Sequence, residues 1–165
     1  MTNLQELSPV IQTLNEQSNK INEVIADLNA KLATLNIGLS LEDSDGPTLS
    51  QTGWVVERSN NGTPVDRTRE SCYLGYTKLN EQWQLAVVKC SERQEYTDSG
   101  TPQKAPMGYD EVESYNIDLI PLLQSSRDLR ISALANVKEL LHVLQIRAEI
   151  VIQTIQEARA FADKL

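Results

Sequence analysis

Histidine occurs once in the 165 residues, and cysteine, tryptophan and methionine twice each. There is no Cys-x-x-Cys pair and no His-Glu-x-x-His helix, so the usual zinc sites, with four protein ligands or three plus water, are not expected. Glycine is sparse as well. Gly53, Gly62, Gly75 and Gly108 stand apart, and no phosphate-cradling loop of the G-x-G-x-x-G or G-x-x-x-x-G-K type occurs. Long apolar runs are missing: the longest is Leu85-Ala86-Val87-Val88, whereas a membrane-spanning helix needs about 20 mostly apolar residues. The first residues, Met-Thr-Asn-Leu-Gln-Glu, lack the basic start and apolar block of a signal peptide. Positive charge is in deficit. The formal net charge of −8 argues against a nucleic-acid binder or an anionic membrane surface, because both want a basic patch. These absences predict a cytoplasmic protein with no nucleic-acid partner, no membrane and no cofactor, and they leave no positive sign of an enzyme.

What is present divides the chain into three zones. Trp54, Tyr73, Tyr76, Trp83, Tyr96, Tyr109 and Tyr115 fall in the middle, and only Phe161 lies outside. Aromatic and β-branched residues suit a pleated surface; the Leu, Gln, Glu and Ala of the flanks suit helices. In residues 1–39, Leu4, Leu7, Ile11, Leu14, Ser18, Ile21, Ile25, Leu28, Leu32, Leu35 and Leu39 alternate by three and four, which predicts a helix with a narrow apolar seam. Ser8 and Pro9 look like a cap and a first helical residue, so the main helix is expected over 8–36, with 2–7 a separate turn and Gly38 beyond its end. Ser18 interrupts the seam, and reads as a small residue bonded to its own helix rather than as a register device.

Residues 40–116 read as β-rich. The best hairpin joins 72–79 to 82–90 through Asn80-Glu81, after a short strand 54–58 and an Asn-Gly turn. Gln94 to Glu113, with Gly100, Pro102, Pro106 and Gly108, reads as a long surface loop. Residues 117–165 read as one long helix. Leu129, Leu140, Val151 and Ala162 recur every eleven residues, as do Ala133, Leu144 and Ile155, a period that keeps a helix nearly straight. The chain is therefore expected to be a single α+β domain. Two long antiparallel, coiled-coil-like helices, N- and C-terminal, flank a small antiparallel sheet with a central hairpin. The second helix would outrun the first by roughly 25 Å at 1.5 Å per residue. That overhang would leave Ile150, Val151, Ile152, Ile155, Phe161 and Leu165, with Leu144 beside them, for a homo-oligomer interface or another protein partner.

Candidate chemistry is thin. His142 lies in the apolar part of the second helix, with Glu139 near it, and reads as a surface or interface histidine. A two-residue hairpin turn sets Cys72 opposite Lys89, so no disulfide follows; a three-residue turn would oppose Cys72 and Cys90. Asp43-Ser44-Asp45-Gly46 lacks the rest of a calcium loop and reads as an acidic turn, and Asp110, Glu111 and Glu113 as a solvated loop. The polar feature of most interest is Arg58, Arg67 and Arg69. On one sheet face with Trp54, Tyr73, Tyr76 or Trp83 they would suit a small anionic ligand; the alternative is pairing with Glu57, Asp66 and Glu70.

The order of helix, hairpin and helix resembles the layout of prefoldin subunits, chaperones whose paired helices hold clients at their tips. The resemblance covers the order of elements and no motif, and the first helix is short for such a tentacle. The function expected is that of a non-enzymatic, oligomeric interaction or scaffold protein. Its helices would self-associate and its β-rich zone would bind a partner; the alternative is an anionic-ligand module on the Arg-bearing sheet.

Overall fold

Residues 4–97 and 108–163 are described by the computed structural model. Helix α1 (Leu4–Thr34) is followed by strands β1 (Thr48–Gln51), β2 (Val55–Arg58), β3 (Pro64–Leu79), β4 (Gln82–Thr97), β5 (Gly108–Tyr109) and β6 (Glu113–Pro121), one 3-10 turn at Leu122–Gln124, and helix α2 (Arg127–Ala162). The α+β class stands: two helices, N- and C-terminal, and an antiparallel sheet.

The sheet is built on the β3–β4 hairpin, whose register runs from Asp66 opposite Glu95 to Leu79 opposite Gln82. The turn has two residues. Asn80 and Glu81 both have positive φ, 50° and 64°, the backbone twist that two-residue hairpins favour. Cys72 therefore opposes Lys89 and Cys90 opposes Ser71, and both cysteines are free thiols. β1 and β2 share the outer edge of β3, and β6 and β5 share that of β4. Each hairpin strand has 16 residues, so the sheet extends well past the expected 72–90. The segment 64–71 is strand although it carries four charged residues, because cross-strand polar pairs replace an apolar face. Of the expected loop 94–113, Gln94–Thr97 continue β4 and 108–109 form β5; 98–107, with Gly100, Pro102 and Pro106, lie outside the described residues.

Two boundaries differ from expectation. Residues 117–121 are not helix but the end of β6, paired with β4 from Arg93 opposite Glu113 to Ala86 opposite Pro121. Pro121 tolerates that place because it ends an edge strand. α2 begins instead after Ser126, whose side chain accepts from the Leu129 amide. It has 36 residues against 31 in α1, so the helices span about 54 and 46 Å and the expected mismatch shrinks to under about 10 Å. At the other end, α1 is continuous from Leu4 and carries Pro9 within it. Pro9 is the sixth residue of α1, beyond the first turn, so the helix gives up one intrahelical N–H bond there.

Alternation sorts the sheet's two faces. Leu74 and Tyr76 of β3 and Leu85 and Val87 of β4 join Ile25 and Leu32 of α1 and Ala133, Val137, Leu140 and Leu144 of α2 in the main core. The other face holds a smaller cluster of Tyr73, Val88 and Cys90 with Leu119. Gly75 lets the chain at Leu41 approach: a Cβ there would lie 2.5 Å from the Leu41 carbonyl oxygen.

Contacts between the helices advance in the same sense along both. Arg127 donates to Asn15 and Ser18, Arg130 donates to Asn22, and Arg147 reaches Ser40, Asp43 and Asp45 in the loop after α1. These contacts do not describe the antiparallel pair expected: both helices pack against the sheet and run alongside each other over a short stretch. Ser18 accepts from Arg127 there, which is neither of the roles weighed for it.

Candidate functional site

α2 carries one apolar stripe along its whole length, and the sheet covers half of it. Ala133, Val137, Leu140 and Leu144 are buried; the same stripe continues as Ala148, Val151 and Ile155, and Val151 and Ile155 are 41% and 50% exposed. The eleven-residue spacing produces this straight continuation. Ile150, Ile152 and Phe161 are exposed as well. Gln145 and Gln153 donate to Glu149 and Glu157 four residues on, forming a polar ridge along the back. Of the expected interface residues, Ile150, Val151, Ile152, Ile155 and Phe161 are exposed, and Leu165 lies outside the described residues. Leu144 is a correction: it is 3% exposed and belongs to the chain's own core.

α1 repeats the arrangement at its opposite end. Its heptad is buried at Ser18, Ile25 and Leu32 but exposed at Leu7, Ile11 and Leu14, with Val10 beside them and 62% exposed. The expected interface left these residues out, although the same heptad that located the helix marks them.

The Arg-bearing group assembles in part. Arg67 and Arg69 occupy alternate β3 positions, and so share a face. Their guanidinium carbons lie 4.5 and 4.4 Å from the centre of the Trp54 ring. Arg67 also lies 3.9 Å from the centre of the Tyr109 ring, which meets Tyr96 edge-on. Tyr109 was not among the expected residues. Tyr76 and Trp83 do not join: they stack at 5.4 Å on the opposite face, Tyr76 within the main core and Trp83 packed against it. Arg58 turns back to donate to the Gly62 carbonyl. Nor do the arginines pair with neighbouring acids. Arg67 donates twice to Gln94 Oε1, at 2.9 and 2.6 Å, and Arg69 Nε lies 2.5 Å from Glu92.

Glu92 is buried and anchors this face, accepting from both Arg69 and Tyr73. Burial pushes its carboxyl up, but the bonds from Tyr73 and Arg69 outweigh that and hold it below the ordinary value. Desolvation, followed by the bond to Glu92, pushes the Tyr73 hydroxyl up. On the other face Arg93 lies 2.7 Å from buried Asp66.

The other candidates supply no constellation. His142 is exposed on α2. Desolvation raises the Cys90 thiol, which donates to Asn116 at 3.2 Å. Asp43 and Asp45 are both held by Arg147 at 2.8 Å, and Glu113 accepts from Tyr115. Among the described residues no cluster of three metal-ligating side chains occurs, and no helix is long and apolar enough to cross a membrane. No family model matches the chain, and neither a curated protein nor a solved structure matches it.

Proposed function

We infer that the protein is a self-associating, non-enzymatic interaction protein: its exposed helix ends join copies, and the aromatic end of the sheet receives a second protein. The observation that supports this best is the stripe on α2. The same apolar surface that forms the core runs on past half-buried Ala148 to Val151 and Ile155, which are exposed. Burying an aliphatic side chain of that size is worth about 1.5–3 kcal/mol, so an uncovered row is costly for a chain that stays alone. Trp54, Arg67 and Tyr109 are of the residue types that dominate protein interfaces, and they cluster at the far end of the sheet.

The anionic-ligand reading has one observation in its favour, the gathering of Trp54, Arg67 and Arg69 on one face. It ranks second because both guanidiniums already have partners in Gln94 and Glu92. Light scattering and native mass spectrometry of the full chain at tens of micromolar distinguish the readings. A discrete oligomer is expected. A monodisperse monomer overturns self-association, and a retained mass of a few hundred daltons favours the ligand module.

A further inference from the structure

The interface between copies is reciprocal: we propose that the free end of α1 in one copy packs against the free end of α2 in a second copy, and the converse, around a two-fold axis. This rests on the self-association inferred above and names the surface that each helix end meets.

The direction of the helices supports it. Contacts begin with Asn15 and Ser18 at Arg127 and end with Arg147 at Ser40, Asp43 and Asp45. The residues of α1 before Asn15 and those of α2 after Arg147 therefore leave the packed zone at opposite ends. Each of these two ends carries the uncovered continuation of a buried stripe, Leu7-Ile11-Leu14 on α1 and Val151-Ile155 on α2. A two-fold axis across the helices brings the α1 end of one copy beside the α2 end of the other, and reverses one against the other. The result is an antiparallel pair at both ends, made between chains rather than within one.

Area chooses between this arrangement and simpler ones. The α2 end, residues 148–162, runs about 22 Å and the α1 end, residues 4–14, about 16 Å at 1.5 Å per residue. Covering a third of a helix about 10–12 Å across removes roughly 250 Å² from the first and roughly 190 Å² from the second. One such pairing, or α2 against α2 alone, buries roughly 450–500 Å² in total, the scale of an incidental lattice contact. Two reciprocal pairings reach roughly 900 Å², above that scale and in the range of weak, reversible interfaces. Only the reciprocal arrangement covers both stripes and closes on itself.

Two full-length variants test the pairing, Ile11→Lys and Ile155→Glu. Both positions are about half exposed, so neither change disturbs the monomer fold, which circular dichroism checks. Each variant alone sets a charge against an apolar residue at both pairings, and its dimer dissociation constant is expected to rise at least about 100-fold. Mixed in equal amounts, the two form a heterodimer in which one pairing is unaltered and the other joins Lys to Glu. Sedimentation velocity is expected to show that heterodimer restored to within about tenfold of the unaltered chain. A dimer that survives Ile11→Lys, a mixture that stays monomeric, or open polymers instead of closed dimers overturns the reciprocal pairing while self-association stands. An unaltered chain that is monomeric overturns both.

Discussion

Glu92 is the residue on which the polar face of the sheet depends. It is 1% exposed, yet carries charge, because Arg69 and Tyr73 both donate to it. Buried carboxylates persist only when paired in this way. Its lowered pKa has a definite sign in stability. The folded state holds the carboxylate more readily than the unfolded chain does, so the stabilisation is fully present above the ordinary value of 4.5. It is lost as the pH falls from there through the lower, folded value. Glu92→Gln keeps the shape and removes the charge. Urea unfolding at pH 7 is expected to show a loss of about 1–3 kcal/mol, since Arg69 loses its ionic partner. The variant is also expected to lack this part of the acid-induced decline seen in the unaltered chain. Equal pH slopes below 5 in both proteins would mean that Glu92 is not held in charged form by its partners.

Elements were legible where one residue pattern had one physical meaning. The α1 heptad located its helix and also marked both its covered and uncovered halves. The Asn80-Glu81 turn located the hairpin, but two-residue and three-residue turns were both open, and only the register separates Cys72 from Cys90. Legibility failed where polar pairs take over from apolar ones. Asp66-Arg67-Thr68-Arg69-Glu70 has no apolar alternation, because Arg67, Arg69 and Asp66 find Gln94, Glu92 and Arg93 across the strand. Residues 117–121 read as helix, although they end strand β6 and pair with β4. At the Arg-bearing face parity was decisive: Arg67 and Arg69 are odd positions of β3, while Tyr76 is even and faces the core. Tyr109 came from a distant two-residue strand, which no local pattern announces. The hairpin turn also offers a test at this scale. Glu81 has φ of 64°, a conformation that glycine adopts without the Cβ penalty. Glu81→Gly is expected to raise the melting temperature by a few degrees in a thermal unfolding scan. A lower melting temperature would mean that the ion pair of Glu81 with Lys78 outweighs the backbone strain.

At the scale of the whole molecule, the sheet supports two helices that are each covered over only part of their length. That places the core in the middle and apolar surface at both ends. Under the self-association proposed above, the chain gains stability from its own copies by mass action, because anything that binds the folded state alone shifts the unfolding equilibrium. The melting temperature is therefore expected to rise with protein concentration. At a concentration 100 times the dissociation constant the gain is about 2.7 kcal/mol. Ile155→Gln separates this gain from the fold itself. The residue is half exposed and makes no part of the main core, so at high dilution the variant is expected to melt with the unaltered chain. At tens of micromolar it is expected to melt lower and with no dependence on concentration, because the partner helix has lost its contact. Calorimetry across a hundredfold dilution series of both proteins reads the difference. A concentration-independent melting temperature in the unaltered chain would place its stability wholly within one copy. The exposed rows on α1 and α2 would then bind something other than this chain.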